Sequence, residues 1–62
     1  MRNNLQELRT AAGLSQQACA DALGITRQTV ISIEEGHFDP RLSLAFRIAE
    51  YFDKRVDDIF SS

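Results

Sequence analysis

A chain of 62 residues, 44% of them apolar, leads us to expect one domain (1–62) with a small core and no ligand-binding module beside it. No apolar run approaches the roughly 18 residues of a membrane span. No signal peptide is recognisable and the lone Cys19 forms no internal disulfide, so the expected location is cytoplasmic, with no membrane partner. The formal net charge of −2 weighs against nucleic acid when taken alone, although Glu50, Asp53, Asp57 and Asp58 gather much of the acid near the C-terminal end.

The pattern predicts a first helix from an Asn4 cap to about Ala12, with Glu7 completing a capping box and Leu5, Leu8 and Ala12 on one face. Gly13 ends it and Leu14 folds back as the apolar contact that follows a glycine cap. Ser15 caps a second helix over about 16–23, whose apolar positions are Ala18, Cys19, Ala22 and Leu23. Gly24 supplies a left-handed turn, Ile25 plugs the corner, and Thr26 caps a third helix over about 27–34 carrying Val30, Ile31 and Ile33. Small Ala20 lets the two helices cross closely, and the pair reads as a helix-turn-helix over about 16–34, whose second helix can enter the DNA major groove.

Residues 35–40 read as a loop, marked by Gly36 and Pro40. A fourth helix is expected from about Arg41 to Phe52, with Leu42, Ala45, Ile48, Ala49 and Phe52 inward and Asp53 in the left-handed terminating position. Val56 to Phe60 forms a short fifth helix whose start is frayed or capped by Asp57, because Arg55 offers no acceptor. The expected fold class is all-α: a compact five-helix bundle.

The segments Leu-Arg-Thr-Ala-Ala-Gly-Leu-Ser-Gln (8–16), Gly-Ile-Thr-Arg-Gln-Thr-Val (24–30), Ile-Glu-Glu-Gly (33–36), Pro40 and Ile-Ala-Glu-Tyr-Phe (48–52) follow one another in order. That set resembles the Xre family, the Cro-like and phage-repressor-like helix-turn-helix regulators, over roughly residues 4 to 60, and in particular its small bacterial members. The resemblance implies the lambda-repressor-like DNA-binding domain and puts the acidic C-terminal end on the face away from DNA. It also implies base reading by Arg27, Gln28 and Ser32 on the recognition helix 27–34. Chemistry agrees for two of these: Arg27 matches guanine O6 and N7, and Gln28 matches adenine N6 and N7, each worth about 1–3 kcal/mol of discrimination. Short Ser32 reaches a base through water. The plain alternative is that all three are solvent-facing helix residues.

By the same resemblance, Gln16 meets a phosphate and a neighbouring groove side chain and Arg41 meets a phosphate from the loop before the fourth helix. Thr26, by its place at the head of the recognition helix, and His37, as an imidazole that binds phosphate when protonated, are further backbone or groove candidates. A solvated loop histidine is an equal reading of His37, and Phe38 reads as a loop anchor packed on the bundle. Arg9 and Glu34 match a buried or half-buried ion pair that joins the first helix to the end of the recognition helix. Cys19 replaces the family's usual leucine and reads as a small buried hydrophobe rather than a redox sensor. Phe46 and Tyr51 are larger than usual and either fill the volume lost at Cys19 or build a subunit interface.

The expected function is that of a sequence-specific transcriptional regulator, a repressor, binding double-stranded DNA at an inverted repeat as a homodimer in the cytoplasm, at the nucleoid. One recognition helix reads only a few base pairs, so two half-sites are needed. Tyr51, Val56, Ile59 and Phe60 are the interface candidates, with Ile59 and Phe60 equally readable as core. The alternative is a protein-interaction or antitoxin-like module that keeps the fold without DNA binding, favoured by the acidic balance and disfavoured by Gln16, Arg27 and Gln28. No enzyme is expected, for one histidine and one cysteine make no triad. Nor does any motif call for a metal, cofactor or small-molecule ligand.

Overall fold

Side-chain caps and left-handed corners set the helix boundaries. In a computed structural model that describes residues 2–61, α1 spans Leu5–Ala11, α2 Gln16–Leu23, α3 Arg27–Glu34, α4 Leu42–Tyr51 and α5 Val56–Ile59. Ser15 Oγ accepts from the Ala18 N–H at 3.0 Å and Thr26 Oγ1 from the Thr29 N–H at 3.1 Å, so α2 and α3 start at their hydroxyl caps. Between them Gly24 takes φ 71° and the Ile25 N–H returns to the Ala20 carbonyl at 3.0 Å, the double turn that stops a helix and redirects the chain. Asp53 takes φ 55° after α4, as expected.

The two ends of the chain depart from expectation together. Arg2–Asn3 (β1) pairs antiparallel with Phe60–Ser61 (β2), in the register Arg2 to Ser61 and Asn3 to Phe60. The pairing pulls Asn4 away from its capping role: its N–H donates to the Ile59 carbonyl at 3.1 Å and its Nδ2 to the Asp58 carbonyl at 3.2 Å. Asn3 takes over, accepting from the Leu5 N–H through Oδ1 at 3.1 Å and donating through Nδ2 to the Ile33 carbonyl at 2.8 Å, near the end of α3. The same ladder stops α5 at Ile59 and draws Phe60 into extended backbone. At the start of α5 it is Asp58, not Asp57, whose carboxylate accepts from the Arg55 N–H, at 3.0 Å; Asp57 pairs with the Arg55 side chain on the surface.

The core is built from Leu5, Ala20, Leu23, Val30, Ile33 and Ile48, together with Cys19, Ala45, Ala49, Ile59 and Phe60. Ala20 is fully buried, consistent with a close α2–α3 crossing, and Leu14 and Ile25 pack against the cluster. Several expected inward positions are exposed. Ala12 and Ala22 face solvent, and Leu42 is 66% exposed. Leu42 lies in the first turn of α4, roughly 70° off the stripe centred on Ala45, Ile48 and Ala49. Phe46 is 56% exposed and Tyr51 48%, so neither fills volume at Cys19. Among the described residues no helix is long and apolar enough to cross a membrane.

Candidate nucleic-acid interface

The buried stripe of α3, Val30 and Ile33, turns the first-turn side chains Arg27 and Gln28 out into solvent, with Ser32 half-buried one turn on. Thr26, at the head of this helix, is committed locally, since its Oγ1 lies 2.8 Å from Thr29 Oγ1 as well as capping the Thr29 N–H. The backbone N–H groups of Arg27 and Gln28 precede the capped one, and such first-turn groups suit a phosphate. The start of α2 has the same form, with the Gln16 and Gln17 N–H groups ahead of capped Ala18.

Gln16 is also tied inward. Arg9 Nε lies 2.6 Å from Glu34 Oε2, both side chains less than a tenth exposed, and Arg9 Nη2 reaches Glu34 Oε1 at 3.4 Å. Arg9 Nη1 donates to the Leu14 carbonyl at 2.9 Å, while Gln16 Nε2 donates to Glu34 Oε1 at 3.3 Å. One buried carboxylate thus joins α1, the start of α2 and the end of α3. The hydrogen bond to Glu34 pushes the already high pKa of the Arg9 guanidinium further up, against the desolvation that opposes it. Removing one partner alone strands a desolvated charge, which costs about 3–5 kcal/mol at buried pairs.

Beyond α3, the loop presents His37 in the open, its Nδ1 3.7 Å from Glu35 Oε1. Phe38 stands about half exposed rather than packed as an anchor. Arg41 is exposed at the extended residue that precedes α4. Cys19 has no solvent contact, and burial pushes its thiol up, with the Glu34 charge adding to the effect and Arg9 opposing it. A protonated, inaccessible thiol is a poor redox sensor.

Of the four interface candidates, Ile59 at 3% and Phe60 at 8% exposure belong to the core of the single chain, because β2 and α5 fold them under α4 and the chain's start. Tyr51 is exposed but stands about half a turn around α4 from Leu42. Half-buried Val56 lines a shallow apolar groove with Pro40, Leu42, Ala45 and Phe60. Sequence reasoning missed Arg47, whose Nη1 donates to the Leu23 carbonyl at 2.8 Å and so caps the last turn of α2 from α4. Its only sequence signal is a cation placed beside the core stripe of α4.

Comparison with known proteins agrees with this geometry. The family model described as "Helix-turn-helix" matches residues 5–59. An uncharacterized HTH-type transcriptional regulator of Methanocaldococcus jannaschii is 47% identical over 60 residues, which cover 97% of this chain and 91% of that protein. YgzD of Bacillus subtilis, likewise described as an HTH-type transcriptional regulator, is 42% identical over 60 residues, with the same 97% and 91% coverage. Among solved structures, the restriction-modification controller protein C.AhdI from Aeromonas hydrophila is similar, with a TM-score of 0.80 and 36% identity over 90% of this chain and 85% of that one.

Proposed function

The chain belongs to the Xre-like helix-turn-helix family, and on that premise we propose that it is a sequence-specific transcriptional regulator that binds double-stranded DNA as a homodimer. The observation that carries the reading is the pair Arg27 and Gln28, both exposed in the first turn of a helix whose start is fixed by Thr26. These side chains have the donor patterns that guanine and adenine accept in the major groove. Ser32 reads one turn further along through water. Gln16, Arg41, His37, Thr26 and the free N–H groups at the starts of α2 and α3 hold the sugar-phosphate backbone, which supplies register and affinity without sequence information. The reading assigns the protein no chemistry of its own.

A single helix covers too few base pairs for specificity, so two copies read an inverted repeat with half-site centres about 34–36 Å apart. The second copy packs on the face of α4 that carries Leu42 and Phe46, with Val56 at its edge; Ile59 and Phe60 stay in the core of each subunit. A dimer seated across a promoter excludes other proteins from it, and repression at the nucleoid, in the cytoplasm, is the mode of action that follows.

Selection of sites from a random duplex library, run with wild type and Gln28→Ala side by side, tests the reading. Wild type is expected to enrich a short inverted repeat, and the variant to lose or relax it at the adenine positions. If wild type enriches nothing at low salt, the DNA-reading assignment falls and a protein-interaction module takes its place, a role that the net charge of −2 suits better.

A further inference from the structure

Glu34 lies at the far end of the recognition helix from Arg27, yet its carboxylate bonds the first side chain of α2. A carboxylate only accepts, so Glu34 selects the NH₂ edge of the Gln16 amide and turns the carbonyl edge the opposite way. Two contacts from Arg9, at 2.6 and 3.4 Å, fix the carboxylate in turn. Arg9 is itself held to the loop before α2 through the Leu14 carbonyl at 2.9 Å. The chain of bonds from Leu14 through Arg9 and Glu34 to Gln16 closes around the start of α2.

From this closure we infer that Glu34 is a positioning residue for DNA binding: it holds the Gln16 amide in one orientation before DNA arrives. The inference rests on the DNA-binding reading above. A free glutamine samples several rotamers and loses them on binding, whereas a glutamine bonded to a buried carboxylate has already lost them on folding. Its second N–H remains for a phosphate and its Oε1 for a donor on the groove-facing side of α3. The ion pair then does more than join helices, because it keeps the acceptor that orients Gln16 in place.

The test compares affinities for the duplex enriched by wild type among four proteins: wild type, Gln16→Ala, the double variant Arg9→Met with Glu34→Leu, and the triple variant. An apolar pair in place of a buried ion pair leaves no stranded charge and commonly preserves folding. Gln16→Ala is expected to weaken binding about 10- to 100-fold, the span of one hydrogen bond to a charged group. The apolar pair, folded by circular dichroism, should weaken it about 2- to 10-fold, the cost of ordering one side chain on binding, and Gln16→Ala should cost less in that background than in wild type by the same factor. The inference is overturned if the folded apolar pair binds as tightly as wild type, or if Gln16→Ala costs its full factor in both backgrounds.

A second measurement needs no variant that must fold. In the free wild-type protein, ¹⁵N relaxation should find the Gln16 side-chain NH₂ as rigid as the helix backbone, with that of exposed Gln28 mobile. Equal mobility of the two also overturns the inference. If wild type binds no duplex at all, the DNA reading fails and takes this inference with it; binding without coupling removes the inference alone.

Discussion

The Cys19 thiol loses all solvent contact in α2, and that single burial makes the fold sensitive to alkali. Burial raises its pKa first, the Glu34 charge raises it further, and Arg9 pulls it back only in part. In the unfolded chain the thiol ionises near its ordinary value, about 8.5. Above that pH the unfolded state sheds its proton while the folded state keeps it, so the stabilisation present at neutral pH fades as the pH climbs through the folded value. Urea denaturation between pH 7 and 10 should therefore show stability falling more steeply in wild type than in Cys19→Val. Parallel curves would mean that the thiol is not the group responsible. At this scale the sequence disclosed residue types and their chemistry, but of their long-range partners only the Arg9–Glu34 pair, which the family resemblance implies. Arg27 and Gln28 are legible because their neighbours on α3 define the outward face. The bonds from Gln16 to Glu34 and from Arg47 to Leu23 join residues 18 and 24 apart, and only the packing of whole helices brings them together.

Helix boundaries were legible wherever the signal is local. Ser15, Gly24, Thr26 and Asp53 each act within a few residues, and each does what its type suggests. The ends of the chain were not legible, because Asn4 answers to Asp58 and Ile59 and the Asn3 backbone to Phe60, all at the other end of the sequence, which leaves the α1 cap to the Asn3 side chain. The start of α5 shows what a missing local signal does. Arg55 has the extended backbone of a cap, φ −89° and ψ 154°, but its side chain cannot accept from the first turn of the helix. Arg55→Ser supplies the acceptor and should stabilise the domain by about 1 kcal/mol. The exposed Arg55–Asp57 pair that it removes contributes little. Because α5 carries Ile59 into the core, the gain should appear in global unfolding, as a melting temperature raised by about 4–8 °C in a domain of this size. An unchanged or lowered melting temperature would show that Asp58, bonded to the Arg55 N–H, already secures this end.

Over the whole molecule, the misreading of Leu42 as core has a physical reason. An apolar residue that serves a contact between copies, as proposed for Leu42, carries the same periodic signal as one that serves the core. Leu42 and Phe46, 66% and 56% exposed, are adjacent on α4 at a spacing of four residues, and Leu42 borders the groove lined by Pro40, Ala45, Val56 and Phe60. Projections beside a groove on one face are what a two-fold interface requires, since each copy must offer both parts to the other. The dimensions are compatible: a subunit of 25 × 23 × 19 Å, touching its copy along one edge, can set two recognition helices about 34–36 Å apart, one turn of DNA. Arg41 immediately precedes Leu42, so the proposed self-contact starts beside a proposed phosphate contact, and the two proposals together predict that pairing of subunits and grip on DNA reinforce one another. Replacing both Leu42 and Phe46 by Glu places four carboxylates in that contact across the dimer, while the exposed positions leave the fold of each subunit intact. Sedimentation should then show a monomer with wild-type circular dichroism. Affinity for the complete inverted repeat should fall by about 100-fold or more, toward that of an isolated half-site, because the second contact no longer benefits from the first. A variant that remains dimeric would move the interface to the Tyr51 side of α4, where Tyr51→Glu tests it in the same way.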